Sequence, residues 1–553
     1  MPYPAFVFAS LAIAALTGAT VAAARSRATA IVASFAGATA LLLIAGLGFF
    51  RFFADDAFIT FRYAHNLADG AGPNWNSDGR VEGYTNFLWM LIMTPFSKLG
   101  ADLVVASQVL GMLAMLATLY AVFLLWQRWS DDEPASGIGS PAVLATTLAG
   151  IALTGAVPFW GFAGMETALF TALITFGAYR HVVEQRRDAA APWSAFVFAA
   201  AALTRPEGLI AAFVTGAFVL AGALDPERRP LALRRAIVWC AAFAAIFVPY
   251  FVWRYAYYDY LLPNTFYAKV EPTRALFDRG LDYVWTYGTR YLLPAMFVGA
   301  AFLLTKPSLR RDAAYVMALC GALLAGVVLE GGESFPHGRL VAPVLPLMYA
   351  AGVAGLAAML KHLPLTGRQP ALIATFALSL AALSLLRGSH DLLGPIVRER
   401  DALHEREALG RWLHDNTPED YTIAAFAVGA IGYESERDVL DMLGLNDTTI
   451  AHTDVPGLGT GFGGHEKYNI DYVLDTVRPE IIVLNDGEPR AFSEEELRER
   501  ANVPSPVPAR DRLFGDPRLW ERYDVRSLEL DGVWFNFLQR ADTVSELEAP
   551  GLR

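Results

Sequence analysis

The sequence predicts a mostly α, polytopic transmembrane helical bundle of about twelve spans, followed by a C-terminal α/β domain. Three observations carry this. Of 553 residues, 54% are hydrophobic and only 18% charged, with a mean hydropathy of +0.35. Soluble domains carry about a quarter charged residues and keep their apolar runs short. Runs reaching or approaching the ~20 residues that cross a bilayer recur through most of the chain. From about residue 388 the hydropathy falls and no further span remains.

The candidate spans are 5–24, 28–50, 103–127, 142–160, 165–184, 192–204, 207–224, 234–253, 287–304, 313–330, 340–360 and 370–386. The short pair 192–204 and 207–224, joined by Arg205-Pro206-Glu207-Gly208, reads as a hairpin that stops short of full crossing. Residues 84–98 are apolar but too short to span, and read as a re-entrant or interfacial helix. Basic residues orient the bundle. Arg25 and Arg27, Arg128, Arg180 with Arg186 and Arg187, Arg228 to Arg235, Lys306 to Arg311, and Lys361 to Arg368 all fall on one side, the cytoplasmic one. The loops 51–102, 254–286 and 331–339, the turns at Glu166 and Arg205, and the tail then face outward. The expected organisation is a membrane domain over 1–387, with its first outer loop catalytic, and an extracytoplasmic domain over 388–553. A bacterial plasma membrane is the expected location.

Within the tail, 401–415 reads as helix, while 422–428, 439–443, 480–484 and 533–538 read as short strands between Gly- and Asn-rich turns. Gly457–Tyr468 is a Gly-rich loop carrying His465. A net charge of −11 without a long basic run excludes a nucleic-acid partner. Cys240 and Cys320 lie in apolar runs and read as small packing residues. Residues 1–24 carry no charge, which argues against a cleavable signal peptide. The histidines form no metal-binding spacing, Gly457–Gly464 lacks the strand-then-helix context of a dinucleotide site, and no nucleophile elbow is present, so no metal ligand is assigned.

Polar groups concentrate in 51–89, where Asp55 and Asp56 stand at the end of an apolar run, followed by Arg62 and Glu82. Such a loop is costly beside hydrocarbon unless it lines a filled cavity. A carboxylate at a low-dielectric boundary, with a second beside it, suits a general base. The same pair also suits a divalent cation such as Mg2+, Mn2+ or Ca2+, and the residues leave both roles open. Lys269, His337, Arg339 and Arg205 form a cationic group suited to a phosphate. Glu166 reads as a partner for one of them or as a first-turn acid.

These motifs resemble the GT-C-type membrane glycosyltransferases that use polyprenyl-phosphate sugars. The likeness starts at Asp55-Asp56-x-x-Ile59-x-x-Arg62, runs through Asn66, Gly70, Gly72, Asn76 and Gly79-Arg80-Val81-Glu82, and continues at Gly164-Met165-Glu166 and Arg205-Pro206-Glu207. It extends through Leu261–Lys269, Gly331–Arg339, Asp441–Asp447 and Gly464–Lys467, and the chain resembles in particular the mycobacterial terminal β-arabinofuranosyltransferase family. That family carries Gly-Gly-Asp where this chain has Gly331-Gly332-Glu333.

The resemblance implies an inverting transfer of a sugar, such as arabinofuranose, from a polyprenyl-phosphate donor to a hydroxyl of a cell-envelope glycan or lipid-linked acceptor. Asp55 or Asp56 would be the base. Lys269, His337, Arg339 and Arg205 would hold the donor phosphate. Arg62, Glu82, Glu166, Asn264, Glu333 and His465 would contact substrate. The rival is a transporter or flippase of lipid-linked sugars, which places its polar groups near the bilayer midplane and often shows an internal repeat. Here they gather on one face, and no repeat is evident.

Overall fold

The computed structural model describes residues 3–49, 53–134, 136–186, 191–361, 393–484, 487–500, 505–547 and 552. The expected span 370–386 and the boundary near residue 388 lie outside them. Among the described residues, sixteen α-helices precede residue 362: α1 Tyr3–Ala23, α2 Arg27–Phe49, α3 Asp55–Ala68, α4 Phe87–Lys98, α5 Leu103–Asp132, α6 Pro141–Leu153, α7 Ala156–Phe162 and α8 Thr167–Glu184. They continue as α9 Trp193–Thr204, α10 Gly208–Ala221, α11 Arg229–Tyr258, α12 Asn264–Lys269, α13 Arg274–Arg290, α14 Leu293–Leu303, α15 Arg310–Leu329 and α16 Leu345–Leu360. Among the described residues, five helices are long and apolar enough to cross a membrane, or six if the bent pair α6–α7 is one span.

Two segments depart from the predicted spans. The run 142–160 bends by 56° between α6 and α7, where Gly155 takes a left-handed φ of 74°. The run 287–304 is not one helix. Amphipathic α13 ends at Arg290, and Leu292 (φ 57°) breaks the chain before α14.

Close helix contacts rest on glycine. A Cβ on Gly355 would lie 1.8 Å from the Gly299 carbonyl, and one on Gly299 would lie 2.3 Å from that of Gly352. Backbone therefore meets backbone where α14 crosses α16, as small residues allow in membrane bundles.

After the helix Leu393–Asn416 comes a five-stranded sheet in the order β2-β1-β3-β5-β4. Its strands are β1 Thr422–Ala425, β2 Asp438–Asp441, β3 Ile481–Val483, β4 Tyr523–Leu530 and β5 Val533–Arg540. The first three pair in parallel, with Ile423 opposite Val439 and Ile481; β5 joins β3 and β4 antiparallel. The predicted strands correspond to four of these. β4, whose buried and exposed residues do not alternate cleanly, was not foreseen. Alternation sets two cores. Ala424, Leu440, Ile482 and Leu538 pack into a core with Leu513 and Leu519. Ile423, Ala425, Val439, Ile481 and Phe537 join the large core shared with the helices.

Candidate active site

Helix α3 is the hub. Its first turn holds Asp55 and Asp56, where negative charge complements the helix dipole. Successive helical residues point about 100° apart, so the two carboxylates face different surroundings.

Asp55 faces the C-terminal unit. It is 8% exposed. Its Oδ2 accepts from the Gly429 amide at 2.9 Å and its Oδ1 from the Ala430 amide at 3.1 Å, with Arg406 Nη1 at 3.7 Å. Burial raises its pKa, opposed by Arg406 and the two amides. Further along the helix, Arg62 stacks on Trp75. It donates to the carbonyls of Trp75 (2.7 Å), Gly432 (2.5 Å) and Arg437 (2.7 Å). Asn76 exchanges hydrogen bonds with Val439 on the outer edge of β2, at 2.9 and 3.1 Å. The loop between α3 and α4 thus covers the sheet edge that would otherwise be open to pairing.

Asp56 faces the other way. It is half-buried and makes no hydrogen bond among the described residues. Its charge acts on Lys269 and on His465. Burial lowers the Lys269 pKa and Asp56 raises it; for His465, burial lowers it and Asp56 opposes. One turn on from Asp56, Thr60 accepts from Asn86 at 3.0 Å, and Asn86 also donates to Glu166 at 3.0 Å.

From Glu166 a buried ionic network spreads. Arg205 donates to Glu166 at 2.6 Å and grips Glu207 with Nη2 at 2.5 Å and Nε at 3.1 Å. Arg339 grips Glu333 with Nη2 at 2.5 Å and Nε at 2.8 Å, and stacks on Phe335. Burial opposes charge on Glu166, but Arg205 and Arg339 hold its carboxyl below the usual range. Glu330, at the end of α15, lies at the same rim as Glu207. One turn back from it, a Cβ on Gly326 would meet Ile210, one turn on from Glu207. Burial and then Glu207 push Glu330 up to about 8.

Not every sequence candidate joins this group. His337 is 1% exposed beneath it, with its ring 4.5 Å from that of Phe159. Glu82 pairs with Arg254 at 2.5 and 3.0 Å in a separate buried site. Asn264 donates to the carbonyls of Gly444, Leu445 and Asp447, at 2.8 to 3.2 Å, between α12 and the C-terminal unit. The residues brought together are Asp56, Lys269, His465, Glu166, Arg205, Glu333 and Arg339.

The sequence reading left out Glu207, Glu330, Asn86 and Arg279. Arg279 of α13 donates to Gly331 O at 2.9 Å and Glu466 at 3.1 Å, tying the 331–339 turn to the Gly-rich loop. Glu466 in turn accepts from the amides of Gly459 and Gly461, at 2.8 and 2.7 Å. Glu207, two residues from Arg205, was the one with a visible signal. No group of three or more His, Cys, Asp or Glu among the described residues is arranged to hold a metal.

The same architecture is found in ArnT from Cupriavidus metallidurans. Its apo structure superposes with a TM-score of 0.56 at 13% identity, covering 95% of this chain and all of ArnT. The structure bound to undecaprenyl phosphate gives 0.55 at 14% identity, covering 91% and 97%. The chain therefore has the fold of the GT-C membrane glycosyltransferases. In sequence it resembles the terminal β-(1→2)-arabinofuranosyltransferase of Mycobacterium tuberculosis (strain ATCC 25618 / H37Rv), with 27% identity over 353 residues. The match covers 57% of this chain and 54% of that enzyme, so the chain spans about half the length of its curated relative. Residues 396–530 match a domain of unknown function, DUF8728.

Proposed function

We propose that this protein is an inverting glycosyltransferase. It takes a sugar from a polyprenyl-phosphate donor and transfers it to a hydroxyl of a cell-envelope glycan, on the outer face of the bacterial plasma membrane. The observation that carries the reading is the division of labour on α3. Asp55 is engaged by two backbone amides, while Asp56 stands without a hydrogen bond in the field of Lys269. The outward orientation is supported by the far ends of α5, α8 and α15, where Arg186 pairs with Asp132 and, at 2.5 Å, with Asp312. Basic residues favour the cytoplasmic side. The ArnT structure with undecaprenyl phosphate supports a lipid-linked donor.

In this mechanism Asp56 accepts the proton of the acceptor hydroxyl. The hydroxyl oxygen attacks the anomeric carbon from the face opposite the phosphate, and the sugar–oxygen bond breaks with its electron pair leaving on polyprenyl phosphate. Positioning of the two substrates supplies much of the acceleration. Lys269 and the outward edges of Arg205 and Arg339 stabilise the charge that grows on the leaving phosphate. Glu166 and Glu333 hold those guanidiniums in place, and His465 borders the acceptor side.

The test uses purified protein in nanodiscs with a panel of synthetic polyprenyl-phosphate sugars, arabinofuranose first, with and without chelator, followed by mass spectrometry. One donor is consumed and polyprenyl phosphate released; Asp56→Asn lowers the rate by ~10²–10⁴-fold, the usual contribution of a general base. Transfer at the wild-type rate by Asp56→Asn overturns the base assignment. If no donor is consumed while labelled lipid-linked sugar crosses a proteoliposome bilayer, the protein is a transporter.

A further inference from the structure

We infer that the C-terminal unit is a positioning device for the catalytic helix, and that Gly429 is its key positioning residue. This rests on the reading of Asp56 as the base. The unit reaches α3 at two levels. Near the N-terminus of the helix, the amides of Gly429 and Ala430 hold both carboxylate oxygens of Asp55, at 2.9 and 3.1 Å. Two turns on, the carbonyls of Gly432 and Arg437 receive the Arg62 guanidinium at 2.5 and 2.7 Å. Bonds at two heights along a helix fix its rotation as well as its place. Rotation matters because Asp56 is adjacent to the gripped residue, so turning α3 swings its carboxylate relative to Lys269.

Gly429 is where the grip is tightest. A Cβ there would lie 2.0 Å from the backbone oxygen of Asp55 and 2.8 Å from its Oδ2. The clash is with backbone, so rotating the Asp55 side chain cannot relieve it. Any side chain at 429 must push α3 and the C-terminal unit apart. A misplacement of about 1 Å costs an active site up to ~10²-fold in rate. The unit also reaches α3 from the loop after β1, which carries Gly429, and from the loop after β2, where Asn446 accepts from the Tyr63 hydroxyl at 3.2 Å, the side at which open α/β sheets commonly bind ligands. Here the membrane bundle occupies that side, and the bound group is the Asp55 carboxylate.

The test compares Gly429→Ala with Leu519→Ala in the full-length protein. Leu519 is fully buried in the far core of the unit and touches neither α3 nor substrate in this reading. Thermal unfolding, kcat, donor KM and polyprenyl-phosphate binding are measured for both. Gly429→Ala lowers kcat by ~10- to 100-fold, with donor KM and lipid-phosphate affinity unchanged. Leu519→Ala lowers the unfolding temperature but keeps kcat at temperatures where the protein is folded. Wild-type kcat in Gly429→Ala, or a loss in both variants that follows unfolding temperature, overturns the inference. Asp56→Asn in parallel separates the two failures: if it is inactive while Gly429→Ala is wild type, only the positioning role falls.

Discussion

Removing the carboxylate of Glu82 should weaken the fold and leave the chemistry alone. Glu82 and Arg254 are 3% exposed each and join the loop between α3 and α4 to the end of α11 through contacts of 2.5 and 3.0 Å. Alanine at 82 leaves the guanidinium buried with the carbonyls of Tyr260 and Leu261, at 3.1 and 3.0 Å. The charge-assisted hydrogen bond from Arg254 Nε, worth ~1.5–3 kcal/mol, is lost together with the 2.5 Å ion contact. Breaking one side of a buried ion pair costs ~3–5 kcal/mol in all, and we expect a loss in this range. Denaturant titration of purified protein, followed by tryptophan fluorescence, reads it out. Replacing both partners, Glu82→Gln with Arg254→Met, should recover most of the loss, because no charge then stays buried alone. Donor KM of the folded fraction should not change, since Glu82 lies outside the group around Lys269. A loss below ~1 kcal/mol, the size of a surface ion pair, refutes the reasoning; so does a raised donor KM without loss of stability.

Other expectations follow from the same geometry. Glu330, pushed up to about 8 by burial and its acidic neighbours, binds its proton more tightly folded than unfolded. Its contribution is therefore complete below about pH 4.5 and is lost as pH rises through about 8. Glu330→Gln should flatten that slope, gaining on the wild type between pH 6 and 9 in unfolding titrations. Lys269→Met should cost ~10²–10³-fold in kcat, as loss of a preorganised group facing developing charge does, with Lys269→Arg retaining part of the activity in the same donor-release assay. Gly355→Ala, which forces a methyl to within 1.8 Å of the Gly299 carbonyl, should destabilise by ~1–3 kcal/mol, the usual cost of overpacking, in denaturant titration.

Much of the architecture was legible from hydropathy because apolar runs in a bilayer must close their own hydrogen bonds as helices. The strands β1, β2, β3 and β5 were legible as short apolar runs. The α13–α14 break was not, since a left-handed residue at Leu292 has no compositional signature. Within the site, the Gly- and Arg-rich motifs marked Arg205, Glu333, Arg339 and Lys269, which the fold gathers from three separate segments. The roles within the motifs could not be read. Arg62 and Glu82 look as reactive in sequence as Asp56 does. Yet Arg62 is bonded to the C-terminal unit and Glu82 is matched by Arg254.

The sequence by itself determined the membrane class, the helical bundle, the trailing α/β unit and the set of polar residues that could do chemistry, because hydropathy and local pattern act over ranges of a few residues to a span. Only the tertiary structure decided which of two adjacent aspartates meets Lys269 and which meets Arg406 and the amides of the C-terminal unit. Neighbours on a helix differ by about 100° in direction. What each one meets depends on partners far away in the chain: Gly429 lies 374 residues beyond Asp55. Burial by such a partner, more than the residue type, separates the carboxylate bonded to the C-terminal unit from the one beside it that makes no hydrogen bond among the described residues.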